Sequence, residues 1–200
     1  MFLLEGYLIH RPAQEASQRF FIRLQGDWNR LHEVSTITLW NESGEQSGQQ
    51  IRIDREVSII EYFEESDNSW KRVEEGFMNT SIFPGLPLSW EDFLMPYLRW
   101  ESVDYKGPFR YLGRPAHRYE LQNPDERDEP SRLIAVLDED YAALLELEFV
   151  SKNGNMLRRF RVSGFKEFPA GWMFSALVWE NRLDRSSVRF ELEDYSIPNK

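Results

Sequence analysis

The chain has 200 residues, 34 acidic and 24 basic side chains for a formal charge of −10, three histidines, 14% aromatic residues and no cysteine. That length suits one domain, 1–200, with a sizeable core, and the missing cysteine excludes disulfides, a thiol nucleophile, Cys-ligated zinc and iron–sulfur clusters. The acidic balance, with Leu157-Arg158-Arg159-Phe160-Arg161 as its longest basic run, argues against nucleic acid. No apolar stretch approaches the ~20 residues of a membrane-spanning helix.

The dominant period along the chain is two. Met1 to Glu5 is too short for a secretory signal, and strand pattern runs from Gly6 to His10. Phe20, Ile22 and Leu24 alternate next, followed by Val34 to Trp40, Gln50 to Ile53, Val57 to Glu64 and Trp70 to Glu75. In the second half the same pattern covers Ala116 to Gln122, Arg132 to Leu137, Leu145 to Phe149, Met156 to Val162, Trp172 to Asn181 and Val188 to Leu192. About eleven strands result. Asn153-Gly154 is a hairpin signal of type I′, in which both central residues take positive φ. Asn41 to Gly48, Glu64 to Ser69 and Asp138-Glu139-Asp140 read as solvated tips. So many strands with one polar face must curl or stack to bury the other, as a barrel, half barrel or sandwich.

One segment breaks the period. Ile82 to Leu88 is an apolar loop with two prolines, and Ser89-Trp90-Glu91-Asp92 places a capping hydroxyl three residues before a carboxylate, as at a helix start. Phe93, Tyr97 and Trp100 then recur at helical spacing with Leu94 and Leu98 beside them, and Pro96 predicts a short, kinked or restarted helix. An apolar loop and helix set in a β meander suggest a lid over one sheet face.

Chemistry has little foothold. No Gly-x-Ser-x-Gly elbow, glycine-rich phosphate loop or calcium-loop spacing occurs, and His10, His32 and His117 lack a second ligand at i+2 or i+4. No catalytic residue, metal site or cofactor is expected. Seven tryptophans could stack on sugars, but Trp40, Trp70, Trp90, Trp100 and Trp179 sit in apolar context that suits a core.

The run from Ile82 to Leu94 resembles the small-residue loop and Trp-Glu-Asp helix start of bacterial outer-membrane lipoprotein-sorting proteins of the LolA/LolB-like superfamily. Leu112 to Leu121, Val136 to Tyr141 and Glu146 to Gly154 are similar to that family's later strand pairs, the last ending at an Asn-Gly turn. The resemblance implies a mainly β fold: an antiparallel sheet curled into an open half barrel of about eleven strands, with a short helical lid on its apolar concave face. It implies a non-enzymatic, periplasmic and monomeric carrier whose partner is an acyl chain or a lipoprotein. Leu86, Leu88, Trp90, Phe93, Leu94, Tyr97, Leu98 and Trp100 are then the expected ligand contacts. The family opens with a long amphipathic helix where this chain shows strand pattern, and without cysteine this chain carries no lipid anchor of its own, so a carrier or sensor is expected rather than an anchored acceptor. Two other readings stand beside it: an envelope sensor of the same fold that binds a protein partner, and a carbohydrate-binding sandwich.

Overall fold

A computed structural model describes residues 2–27, 34–41, 50–54, 59–64, 67–74, 77, 79–83, 86–125 and 127–197, leaving aside the side chains of residues 27, 34, 35, 53, 82, 83, 93 and 94. The tip expected at Asn41 to Gly48 falls almost wholly outside these residues, as do Pro84 and Gly85 of the apolar loop.

Six strands form first, at β1 (Phe2–Arg11), β2 (Gln18–Asp27), β3 (Val34–Asn41), β4 (Ile51–Asp54), β5 (Ile59–Glu64) and β6 (Ser69–Arg72). A small hairpin, β7 (Ser81–Phe83) and β8 (Leu86–Ser89), leads into α1 (Trp90–Leu94) and a 3₁₀ turn, Pro96–Arg99. Seven further strands complete the chain: β9 (Val103–Tyr111), β10 (Arg114–Gln122), β11 (Arg132–Asp138), β12 (Leu144–Val150), β13 (Met156–Phe168), β14 (Gly171–Asn181) and β15 (Ser186–Ser196). Thirteen of these strands form one antiparallel sheet in the order β6-β5-β4-β3-β2-β1-β15-β14-β13-β12-β11-β10-β9. Two meanders therefore meet at one seam, where β1 pairs with β15. Gly6 lies at a bulge in that seam, and a Cβ there would fall on the Glu191 carbonyl oxygen.

The strands follow from the alternation. In β1, Phe2, Leu4, Leu8 and His10 are buried while Leu3, Glu5, Tyr7 and Ile9 are half-buried on the other face. The outward side chains are paired among themselves: Tyr7 meets Phe21 edge-on, Phe21 meets Trp40, and Arg19 lies 3.6 Å from the Tyr7 ring centroid.

The sheet is open, with β6 and β9 as its edges, and it curls. The Tyr111 hydroxyl on β9 donates a 2.7 Å hydrogen bond to the Val162 carbonyl on β13. In a flat sheet four strand spacings would separate these strands by roughly 19 Å, far beyond a tyrosine's reach, so the β9–β10 tip rolls back toward β13.

Four features differ from the sequence expectation. β9 is a strand that the alternation does not mark, because Lys106-Gly107-Pro108 interrupts it. Its turn, Leu112-Gly113, has positive φ at both residues (48° and 84°), the type I′ signature with leucine where asparagine is usual. At Asn153-Gly154 the hairpin forms, but only Gly154 takes positive φ, and its N–H bonds to the Ser151 carbonyl; this is a type I turn closed by a glycine bulge, not type I′. The apolar loop is the hairpin β7–β8. Finally, Asp138 is not a solvated tip residue: its buried carboxylate accepts from Arg114 Nε at 2.7 Å and from the backbone N–H groups of Asp140 and Tyr141.

Candidate ligand-binding face and its lid

The segment between β6 and β9 joins the two edges of the open sheet, so it crosses from one edge to the other over a single face. Its apolar side chains pack downward. Leu86, Leu88 and Trp90 are buried in one cluster with Leu4, Leu8, Ile22, Ile37 and Phe190, and Tyr97 is buried in a second with Leu133, Leu147 and Phe149. Trp90 faces Tyr62 with ring centroids 6.1 Å apart, and Tyr97 meets Phe149 edge-on at 5.0 Å. Each such side chain removed from water contributes about 1.5–3 kcal/mol.

Of the other expected contacts, Trp100 is half-buried against the second cluster and Leu98 is exposed. The side chains of Phe93 and Leu94 lie outside the described residues. Leu98 points away because Met95 adopts a left-handed conformation (φ 49°) between α1 and the 3₁₀ turn. Helical spacing carried from Phe93 across that break does not apply.

Polar groups tie the lid down. The Ser89 backbone N–H donates to Asp92 Oδ2 at 2.7 Å and the Ser89 hydroxyl lies 3.0 Å from the same oxygen, forming a capping box. Arg158 of β13 donates to the other Asp92 oxygen and places its guanidinium 5.0 Å from the Phe149 ring centroid. The neighbouring Glu91 carboxyl is pushed up by burial, with Arg158 pulling it partly back down. The capping pair is legible in the sequence. Arg158, 66 residues away, is not.

Two clefts border the lid. One of about 730 Å³ is lined by residues including Tyr62, Lys71, Phe77 and Trp90. Another of about 340 Å³ is lined by residues including His10, Leu86, Pro87 and Ser186. Both fall in the size range of small-ligand sites.

The face away from the lid is ionic. Glu180 accepts from Arg159 at 2.6 Å and Arg161 at 3.3 Å; burial opposes its charge, but these bonds hold its carboxyl below the usual value. Glu146 is pushed up by burial, and the Tyr111 hydroxyl rises to about 12 through burial and the nearby Glu146. A phenol that holds its proton so firmly serves as a fixed donor to Val162. Among the described residues no group of three His, Cys, Asp or Glu side chains could hold a metal, and no helix is long and apolar enough to cross a membrane.

The same overall fold occurs among solved structures. A putative outer membrane lipoprotein-sorting protein domain from Vibrio parahaemolyticus superposes with a TM-score of 0.74 at 12% identity, covering 99% of this chain and 85% of that one. The chain has the LolA-like fold. A LolA superfamily protein from Nitrosomonas europaea (TM-score 0.68, 13% identity, 100% of this chain and 86% of that one) shares this LolA-like architecture. So does a DUF1329 family protein from Desulfovibrio piger ATCC 29098 (TM-score 0.73, 12% identity, 98% and 85%). No protein-family model and no curated protein matches the sequence. The single curled thirteen-stranded sheet is not the two-sheet sandwich that the carbohydrate-binding reading assumed.

Proposed function

We propose that the protein is a non-enzymatic carrier of the bacterial periplasm that shelters an acyl chain, of a lipoprotein or a free lipid, between its lid and the apolar sheet face. The carrying observation is how the lid is attached. Among the described residues β7 and β8 pair only with each other, and no ladder joins them to the thirteen-stranded sheet. Apolar burial and the Asp92–Arg158 pair contribute to holding the lid, and among the described residues it can lift without breaking a strand ladder of the large sheet. Lifting exposes a continuous apolar surface on which an acyl chain recovers the burial that the lid gives up, roughly 25 cal/mol per Å². Leu86, Leu88, Trp90, Phe93, Leu94, Tyr97 and Trp100 are the proposed contacts; Leu98, which turns outward, is not among them. The name of the Vibrio relative, a lipoprotein-sorting domain, supports this reading.

Native mass spectrometry of the purified chain tests it. The expected result is one bound acyl lipid per chain, recovered by solvent extraction. Protein free of lipid that also fails to take up added acyl lipid contradicts the reading.

A second reading, a module that binds a protein partner, draws on β9, an edge strand of nine residues with Val103, Tyr105 and Phe109 exposed. Lys106, Gly107 and Pro108 blunt the middle of that edge, as protected edges do, so it ranks behind the carrier.

A further inference from the structure

The smaller cleft is lined by two buried polar side chains that make no side-chain hydrogen bond among the described residues. His10 is only 6% exposed and Ser186 only 7%, both on the lid side of the β1–β15 seam. Among the described residues neither ring nitrogen of His10 nor the Ser186 Oγ has a hydrogen-bond partner. Buried polar groups are ordinarily paired, and those that are not mark places where something else supplies the bond. Both line the same open cleft of about 340 Å³, bordered by Leu86 and Pro87 of the lid and by Pro12 and Asp184.

We infer that this cleft is the head-group subsite of an acyl ligand, and that it selects an uncharged ester, amide or hydroxyl head. The inference rests on the carrier reading above. A neutral imidazole offers one donor and one acceptor, and a serine hydroxyl offers both, which matches a glycerol ester or an amide linkage that itself carries carbonyl oxygens and O–H or N–H groups. Asp184 sets the charge preference. Its exposed carboxylate already accepts the Ser186 backbone N–H at 2.9 Å and the Asn181 side-chain amide at 3.0 Å, and its negative charge disfavours a carboxylate or phosphate head beside it. Leu86 belongs both to this cleft and to the buried lid cluster, so a head at His10 leads directly into the apolar face where the chain would lie.

Titration calorimetry on the full chain, with 1-monodecanoylglycerol, decanoate and the apolar reporter N-phenylnaphthylamine, tests the inference. The glycerol ester should bind more tightly than decanoate. Ser186→Ala and His10→Phe should each weaken the ester roughly tenfold relative to the reporter, the loss expected for one buried hydrogen bond. In wild-type protein, which avoids any question of variant folding, the His10 ring ¹⁵N resonances should move when the ester is added. An unmoved His10 ring, an undiminished ester affinity in Ser186→Ala, or decanoate binding as tightly as the ester overturns the head-group assignment while reporter binding leaves the carrier reading standing. Failure of wild-type protein to bind any of the three overturns both.

Discussion

Asp138 shows how much a single residue can depart from its neighbours in an acidic run. Glu139 and Asp140 are exposed, whereas Asp138 is buried and receives three hydrogen bonds, led by Arg114 Nε. The Arg114 bond holds its carboxyl below the ordinary carboxylate value. A carboxyl lowered in this way contributes stability that is complete above the unfolded value of about 3.9 and is lost as pH falls through the lower folded value. Asp138→Asn should therefore cost about 1–3 kcal/mol at pH 7. In urea titrations the gap to wild type should close as pH drops from near 4 toward 2; a gap that stays constant contradicts this account. Nothing local in Asp138-Glu139-Asp140 distinguishes the first acid from the others, since its partner lies 24 residues upstream. The same limit hid His10 and Ser186, whose significance is a shared cleft between distant strands and the lid. Sequence periodicity reports which face a residue takes, not whether its polar atoms find partners there.

Among the elements, the strands with strict alternation, β1, β2, β12 and β15, were legible because each turns its apolar side chains inward at every second position, though Phe20 and Leu24 of β2 are only half-buried. β9 was hidden by a glycine and a proline in mid-strand and by a leucine in a turn that normally takes asparagine. The lid was legible in outline: Ser89 and Asp92 mark its start and Pro96 its break. Its faces were not, because the left-handed Met95 resets the rotation and turns Leu98 outward. What fastens the lid is also testable as an element. Arg158→Met leaves the buried Asp92 carboxylate with Ser89 alone, a loss of about 1–3 kcal/mol. Hydrogen exchange over Trp90–Arg99 should accelerate by about one to two powers of ten, as that loss implies, while β1, β2 and β15 exchange as in wild type. Unchanged lid exchange would show that Arg158 does not secure it.

Across the whole molecule, the aromatics are not confined to one place. Tyr7, Phe21 and Trp40 lie on the outer face of the sheet, with Arg19 over Tyr7, whereas Trp90 and Tyr97 belong to the lid and pack down onto the inner face. The apolar interior is thus shared between a sheet and a segment that no backbone ladder fixes to it, an arrangement suited to exchanging the lid's own contacts for those of a ligand. The measurement that bears most directly on this claim is photolabelling with an acyl chain carrying a diazirine near its end, followed by peptide mapping. The account predicts label on residues 86–100 and on the lid-facing strands around Leu8, Leu147 and Phe190. Label confined to the outer face or the β9 edge, with the lid segment unmodified, would contradict it.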